Sequence, residues 1–172
     1  EIAFSLENLN LERDTIKEKI LAVSQLLEIK DILEEEPHTL SAENKQLVAL
    51  ASVLVLEPPI IILDSGLNKL DSLQRDKILG IIRNLHLMKN TTIIHVTNDV
   101  EDVLFGDEIV FINKGRLAIQ GKTNEVLERK DIFDAAHMQR PFVVELSERL
   151  EFYGLIDKTY YDIDKLVNDV WK

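Results

Sequence analysis

The chain has 172 residues, 45% apolar and 30% charged, with 6 Gly, 4 Pro and no Cys, which suits one globular domain or a domain with a small appendage. Lys and Arg number 20 against 31 Asp and Glu, and a net charge of −11 sets the field of the molecule against phosphate backbones and anionic lipid, so no nucleic-acid partner is expected. Without Cys there is no disulfide framework, thiolate metal site or Cys nucleophile, and His38, His86, His95 and His137 show no metal-ligand spacing.

The chain opens on Glu1 and runs straight into Ile2, Ala3 and Phe4 with no leader, as expected of a segment of a longer parent. From Glu12 to Glu28, Ile16, Ile20, Val23 and Leu27 recur at helical spacing and predict an amphipathic helix. The acidic run Glu34 to Glu36, closed by Pro37, reads as a solvated loop. Ser41 is a fitting N-cap for a second, largely buried helix through Leu56, ended by Pro58 and Pro59. The longest apolar run, Leu47 to Leu56, is too short to cross a bilayer, so no direct membrane insertion is expected and a reduced, cytoplasmic setting is.

Ile60 to Leu63 is a continuous apolar run stopped by Asp64, Ser65 and Gly66, the pattern of a short strand buried on both faces of a parallel sheet. A helix over about 72–88 follows, with Ile78, Ile81, Ile82 and Leu85 on one face, and Thr91 to Val96 repeats the buried-strand pattern before Thr97-Asn98-Asp99. Strand, helix and strand predict a crossover unit and an α/β fold with a parallel sheet. Glu108 to Asn113 and Arg116 to Gln120 flank Lys114-Gly115 as a hairpin. Beyond it, Phe142, Val143, Leu146, Leu150 and Tyr153 form one helical stripe and Ile163, Leu166, Val167 and Val170 another. The expected division is 1–131, an α/β part with a helical region at about 8–56 and a core at about 57–131, followed by a helical extension over 132–172.

An Asp directly after an apolar strand sits at the sheet edge where α/β folds bind ligands, so Asp64 is either a metal-associated carboxylate or a strand-end turn residue. Gly121-Lys122-Thr123 looks like the end of a phosphate-binding loop. The first glycine of that motif is replaced by Arg116, however, and the intervening residues read as strand, so a turn after the hairpin is expected instead.

Leu40-Ser41-Ala42-Glu43-Asn44-Lys45-Gln46, continuing through Ala51, resembles the signature helix of ATP-binding cassette (ABC) ATPases, usually Leu-Ser-Gly-Gly-Gln-Lys-Gln-Arg. Leu54 through Asp71 resembles the same family's Walker B stretch and D-loop without a gap, Thr97-Asn98-Asp99 stands where the family has Thr-His-Asp, and Asn113 to Arg116 matches its late hairpin. Glu1 to Asn8 resembles the segment after the Q-loop in ATPase subunits of energy-coupling-factor (ECF) importers, and Arg140 to Leu146 resembles their C-terminal extension.

The resemblance implies the C-terminal part of a P-loop ABC cassette plus a small helical appendage at a subunit contact. Walker A and the adenine-stacking aromatic would lie upstream of Glu1. By the same register Asp64 would face Mg2+ through water, Asp71 is either the D-loop residue that touches a second subunit or an ordinary helix cap, and Ser41, Ala42, Glu43 and Asn44 hold the signature positions. ATP and Mg2+ are the family's cofactors. Its partners are another ABC ATPase subunit, as homo- or heterodimer, and a membrane coupling subunit at the cytoplasmic face, serving uptake of vitamins or metal ions such as cobalt and nickel.

The departures predict a degenerate member. Ser65 replaces the catalytic Glu, and a hydroxyl is no carboxylate base near neutral pH; losing general-base help costs a factor of about 10² to 10⁴. Asn98 replaces the switch His and cannot titrate. Ala42, Glu43 and Asn44 replace the residues that approach the partner's γ-phosphate, and the charge of Glu43 opposes it by about 4 kcal/mol at about 4 Å and an effective dielectric of about 20. Glu43 in a first helical turn is also an ordinary stabilising choice, so an N-cap with an acidic first turn is the favoured reading of 41–44. The chain by itself is therefore expected to be inactive as an ATPase and not to bind Mg-ATP tightly. The rivals are a non-catalytic docking or regulatory protein that reuses the cassette surface, and an active ATPase with compensating residues upstream.

Overall fold

The computed structural model describes residues 1–171 and divides into two compact units, Glu1–Thr97 and Asn98–Lys172. The chain mixes helices with one parallel and one antiparallel strand pair, as the sequence pattern predicts.

The first unit begins with α1 (Ile2–Glu7), a short helix that the sequence pattern does not signal, which buries Ile2 and Leu6 and packs against α2 and α3. Helix α2 (Arg13–Leu26) buries Ile16 and Val23 on its apolar stripe. Helix α3 (Ala42–Leu54) is opened by Ser41, whose Oγ accepts from the Asn44 N–H at 3.1 Å, and buries Leu47, Leu50, Ala51 and Leu54. Strand β1 (Ile60–Asp64), helix α4 (Ser72–Lys89) and strand β2 (Thr92–Val96) follow. The two strands pair in parallel from Ile60 opposite Thr92 to Asp64 opposite Val96. Helix α4 is capped by Asp71, whose Oδ1 accepts from the Gln74 N–H at 2.8 Å, and ends at Asn90 in the left-handed region (φ 54°).

One expectation needs correction. The strands are not buried on both faces: Ile61 and Leu63 are buried, but Ile60 (56%), Ile62 (65%), Ile94 (47%) and Val96 (50%) are exposed. The side-chain alternation of a strand sends these residues to the opposite face, and no described element of this unit covers it. A continuous apolar run marks residues suited to burial on two sides, not the presence of two covering layers.

Glu57, in the left-handed turn after α3 (φ 49°), accepts from Lys19 of α2 at 2.8 Å and from Lys89 at the end of α4. The Lys19 hydrogen bond first, and the Lys89 hydrogen bond second, hold the Glu57 carboxyl at about 2 against an ordinary 4.5. One half-exposed carboxylate thus ties three helices together.

The second unit carries β3 (Glu108–Asn113) and β4 (Arg116–Lys122), antiparallel with an irregularity between Phe111 and Ile112, then α5 (Thr123–Leu127), α6 (Lys130–Ala135), α7 (Phe142–Phe152) and α8 (Ile163–Val170). Ile109, Val126, Leu127, Phe133, Val143, Val144, Ile156 and Leu166 form one core, so the helical segment from Phe133 to Leu166 shares apolar packing with the hairpin. Phe111 stacks on Phe133 with ring centroids 5.4 Å apart. The expected stripe on α7 is rotated in the structure: Val143, Val144 and Ser147 face inward, while Phe142 (63%) and Tyr153 (74%) are exposed. On α8 only Leu166 is buried. Arg140 is buried and paired bidentately with Glu148, with Nη1 also donating to the Leu127 carbonyl at 3.1 Å. A guanidinium can enter an apolar core only when its donors are met in this way.

Two outcomes test this description. Because the folded Glu57 carboxyl is depressed, its contribution is complete above about 4.5 and is lost as pH falls toward about 2. Glu57→Gln should therefore be less stable than the wild type at pH 7, and the difference should close over that acid window in urea titrations. Ser41→Ala should cost about 1 kcal/mol through the lost cap, and Ser41→Gly only a few tenths, in the same assay.

Candidate functional site

The alternation of β1 buries Leu63 and leaves Asp64 exposed at the C-terminal end of the parallel pair. Immediately beyond, Ser65 turns into the left-handed region (φ 51°), and its N–H donates to the Val96 carbonyl at 3.0 Å. The last bond of the ladder therefore fixes Ser65 beside the end of β2. A carboxylate followed by a hydroxyl is what the sheet edge offers to solvent. The hydroxyl can donate and accept hydrogen bonds but cannot hold a proton as a base near neutral pH. Asn98 opens the second unit.

The 41–44 segment is committed to helix capping. Ser41 is extended (φ −59°, ψ 162°), its Oγ takes the Asn44 N–H, and Glu43 sits half-buried in the first turn. Lys45 Nζ donates to the His38 carbonyl at 3.1 Å, which anchors the preceding turn. Asp71 is likewise a cap, on α4. Both of its sequence readings thus remain compatible with its position, since a cap oxygen still leaves the other carboxylate oxygen.

What brings these segments together is a residue that motif reading passes over. Gln46 Oε1 accepts from the Lys69 N–H at 2.9 Å, and its Nε2 donates to Asn68 Oδ1 at 3.4 Å. The start of α3 is thereby joined to the turn between β1 and α4. The only signal in sequence is position: Gln46 lies in the stretch that resembles the signature helix.

Gly121-Lys122-Thr123 is no phosphate loop. Gly121 and Lys122 are paired with Ile109 and Glu108 in the hairpin, and Thr123 starts α5 with its Oγ1 donating to the Gly106 carbonyl at 2.6 Å. Extended backbone cannot converge successive N–H groups on an anion. Among the described residues no group of three or more His, Asp or Glu side chains could hold a metal ion. His86 Nδ1 is within 2.9 Å of the Thr91 carbonyl, and His38 Nε2 is 3.3 Å from Glu36. The Ser41 hydroxyl is taken up by the cap and the Gly121-Lys122 backbone is extended, so neither segment presents converging N–H groups to a phosphate. No described helix is long and apolar enough to cross a membrane.

No family model matches the chain. The energy-coupling factor transporter ATP-binding protein EcfA1 of Mycoplasmopsis pulmonis is 36% identical over 172 residues, covering all of this chain and 63% of that protein. EcfA1 of Listeria innocua is 32% identical over 173 residues, covering all of this chain and 62% of its own. The chain thus spans less than two thirds of the length of these relatives. Among solved structures, CbiO1 of Clostridium perfringens, part of the ABC transporter complex CbiONQ, aligns with a TM-score of 0.66 at 28% identity, over 78% of this chain and 54% of that one. The dimeric bacterial ABC transporter cassette MJ0796 aligns with a TM-score of 0.62 at 26% identity, over 66% of this chain and 49% of that one. By sequence the chain is a homologue of the energy-coupling factor transporter ATP-binding proteins, and its fold matches part of the ABC ATPase cassette.

Proposed function

We propose that this chain is the signature and Walker B portion of a degenerate nucleotide-binding subunit of an ECF-type importer. It pairs with a second cassette subunit and serves a membrane coupling subunit, at the cytoplasmic face, that takes up a vitamin or a metal ion such as cobalt. The observation that carries this reading is the end of β1: an exposed Asp64 at the strand end, where the family resemblance puts the Walker B carboxylate, followed by Ser65 where that resemblance needs a general base. Mg-ATP is held, on this reading, only with residues beyond these 172.

The distribution of defects has a consequence for pairing. In a cassette dimer each composite site joins the Walker side of one subunit to the signature of the other. Ser65 and Asn98 impair one site, and Ala42, Glu43 and Asn44 impair the opposite one. Paired with an unaltered subunit, this chain leaves neither site intact. The exposed Phe142, Phe152 and Tyr153 of the second unit are offered as part of the subunit contact. A second reading, a non-catalytic docking protein, is favoured by one specific feature: the Ser41 hydroxyl and the Glu43 charge both serve helix α3 rather than an anion.

The two readings separate on repair. In a complete cassette made by joining this chain behind the nucleotide-loop segment of an EcfA1 relative, and paired with a subunit bearing an intact signature, Ser65→Glu with Asn98→His should raise turnover at least about a hundredfold. Each change alone should do little, because residues that act as a unit are not additive. Turnover that stays at background while Mg-ATP still binds favours the docking reading.

A further inference from the structure

The turn between β1 and α4 alternates buried anchors with exposed residues. Leu67 and Leu70 are 2% and 7% exposed, and between them Asn68 and Lys69 face solvent. The Asn68 and Leu70 N–H groups close local turns onto the Ser65 and Leu67 carbonyls at 3.3 and 3.2 Å. The Lys69 N–H instead leaves the turn and donates to Gln46 Oε1 at 2.9 Å, while Gln46 Nε2 reaches Asn68 Oδ1 at 3.4 Å. A primary amide carries an acceptor and a donor side by side, which is the pair that this backbone N–H and side-chain oxygen require. The orientation of the Gln46 amide is fixed by that chemistry, since a backbone N–H can be met only by its oxygen.

Each end of this bridge lies near a helix cap. Ser41 caps α3 just before Gln46, and Asp71 caps α4 just after Lys69. We propose that Gln46 is a positioning residue that fastens the exposed Asn68–Lys69 turn to the first turns of α3, so that the signature-like and D-loop-like segments are presented to a second subunit as one body. The inference rests on the cassette reading, in which both segments face that subunit. It adds a named residue through which displacement of either segment is passed to the other.

Amide exchange on the full chain tests the clamp without nucleotide. Gln46→Met keeps length and loses both hydrogen bonds, and it should speed Lys69 amide exchange about fivefold, in keeping with the net worth of one hydrogen bond, with the interior of α3 unchanged. Gln46→Glu keeps the acceptor and should restore most of the Lys69 protection, a rescue that mere packing would not give. Unchanged Lys69 exchange in Gln46→Met, or an equal rise throughout α3, overturns the clamp. In the complete cassette described above, Gln46→Met should raise the Mg-ATP concentration needed for subunit pairing about fivefold while the isolated subunit binds nucleotide as before. Pairing that ignores the substitution overturns the positioning role. A wild-type cassette that never pairs overturns the cassette reading instead, and the exchange result then decides the clamp alone.

Discussion

The in-register parallel pairing of β1 with β2 is the constraint on which the first unit depends. It begins where the Thr92 N–H reaches back to the Pro59 carbonyl at 2.8 Å and ends where the Ser65 N–H meets the Val96 carbonyl at 3.0 Å. Between those bonds the alternation of the strand directs Ile61 and Leu63 into the core, each contributing about 1.5–3 kcal/mol by burial. The same alternation delivers Asp64 to the exposed strand end. A shift of one residue would bury Asp64 and Ile62 in place of Leu63 and Ile61, so packing and the placement of the carboxylate are one choice. Helix α4 returns the chain for this pairing, and its length is set by the Asp71 cap at one end and left-handed Asn90 at the other.

Charge supports this arrangement at a few places where geometry concentrates it. In a molecule with excess carboxylates, most acidic groups lie in solvent and do little for the fold. Glu57 is an exception because two lysines from different helices converge on it, and Glu148 is another because, with the Leu127 carbonyl, it meets the buried Arg140 guanidinium that would otherwise be costly. Glu148 is held below its usual range by Arg140, as expected of a carboxylate that accepts two guanidinium donors. Ser41 and Asp71 spend their side chains on helix starts. Segments that resemble nucleotide-facing ones thus serve as helix starts in this chain.

The features legible in sequence were those with local physical causes. The β1 run stopped by Asp64-Ser65-Gly66, the Ser41 cap, the α4 stripe of Ile78 and Ile82, and the Lys114-Gly115 turn each follow from periodicity, capping or turn chemistry, and all are present. Features set by distant partners were not legible. The open face carrying Ile62 and Ile94 depends on what covers it, and the inward rotation of Val144 and Ser147 on α7 depends on the core around Phe133. Arg140 is of a surface residue type and is buried where Glu148 and the Leu127 carbonyl meet its donors. Gln46 has no local signature at all, since its partners are more than 20 residues away. For the candidate site, the order of Asp64, Ser65 and Asp71 along the chain was readable, but the tie between α3 and their turn was not.

Whether a scaffold with Ser65 after Asp64 supports ATP hydrolysis is a question of rate. Phosphate release by the unrepaired chain, completed with an upstream nucleotide-loop segment and paired with an unaltered ECF-type subunit at saturating Mg-ATP, measures that most directly. On the proposed cassette reading, release should stay at or below about a hundredth of the rate of an unaltered pair. Steady release near the unaltered rate would contradict the account and mark the chain as an active ATPase whose compensating residues lie elsewhere.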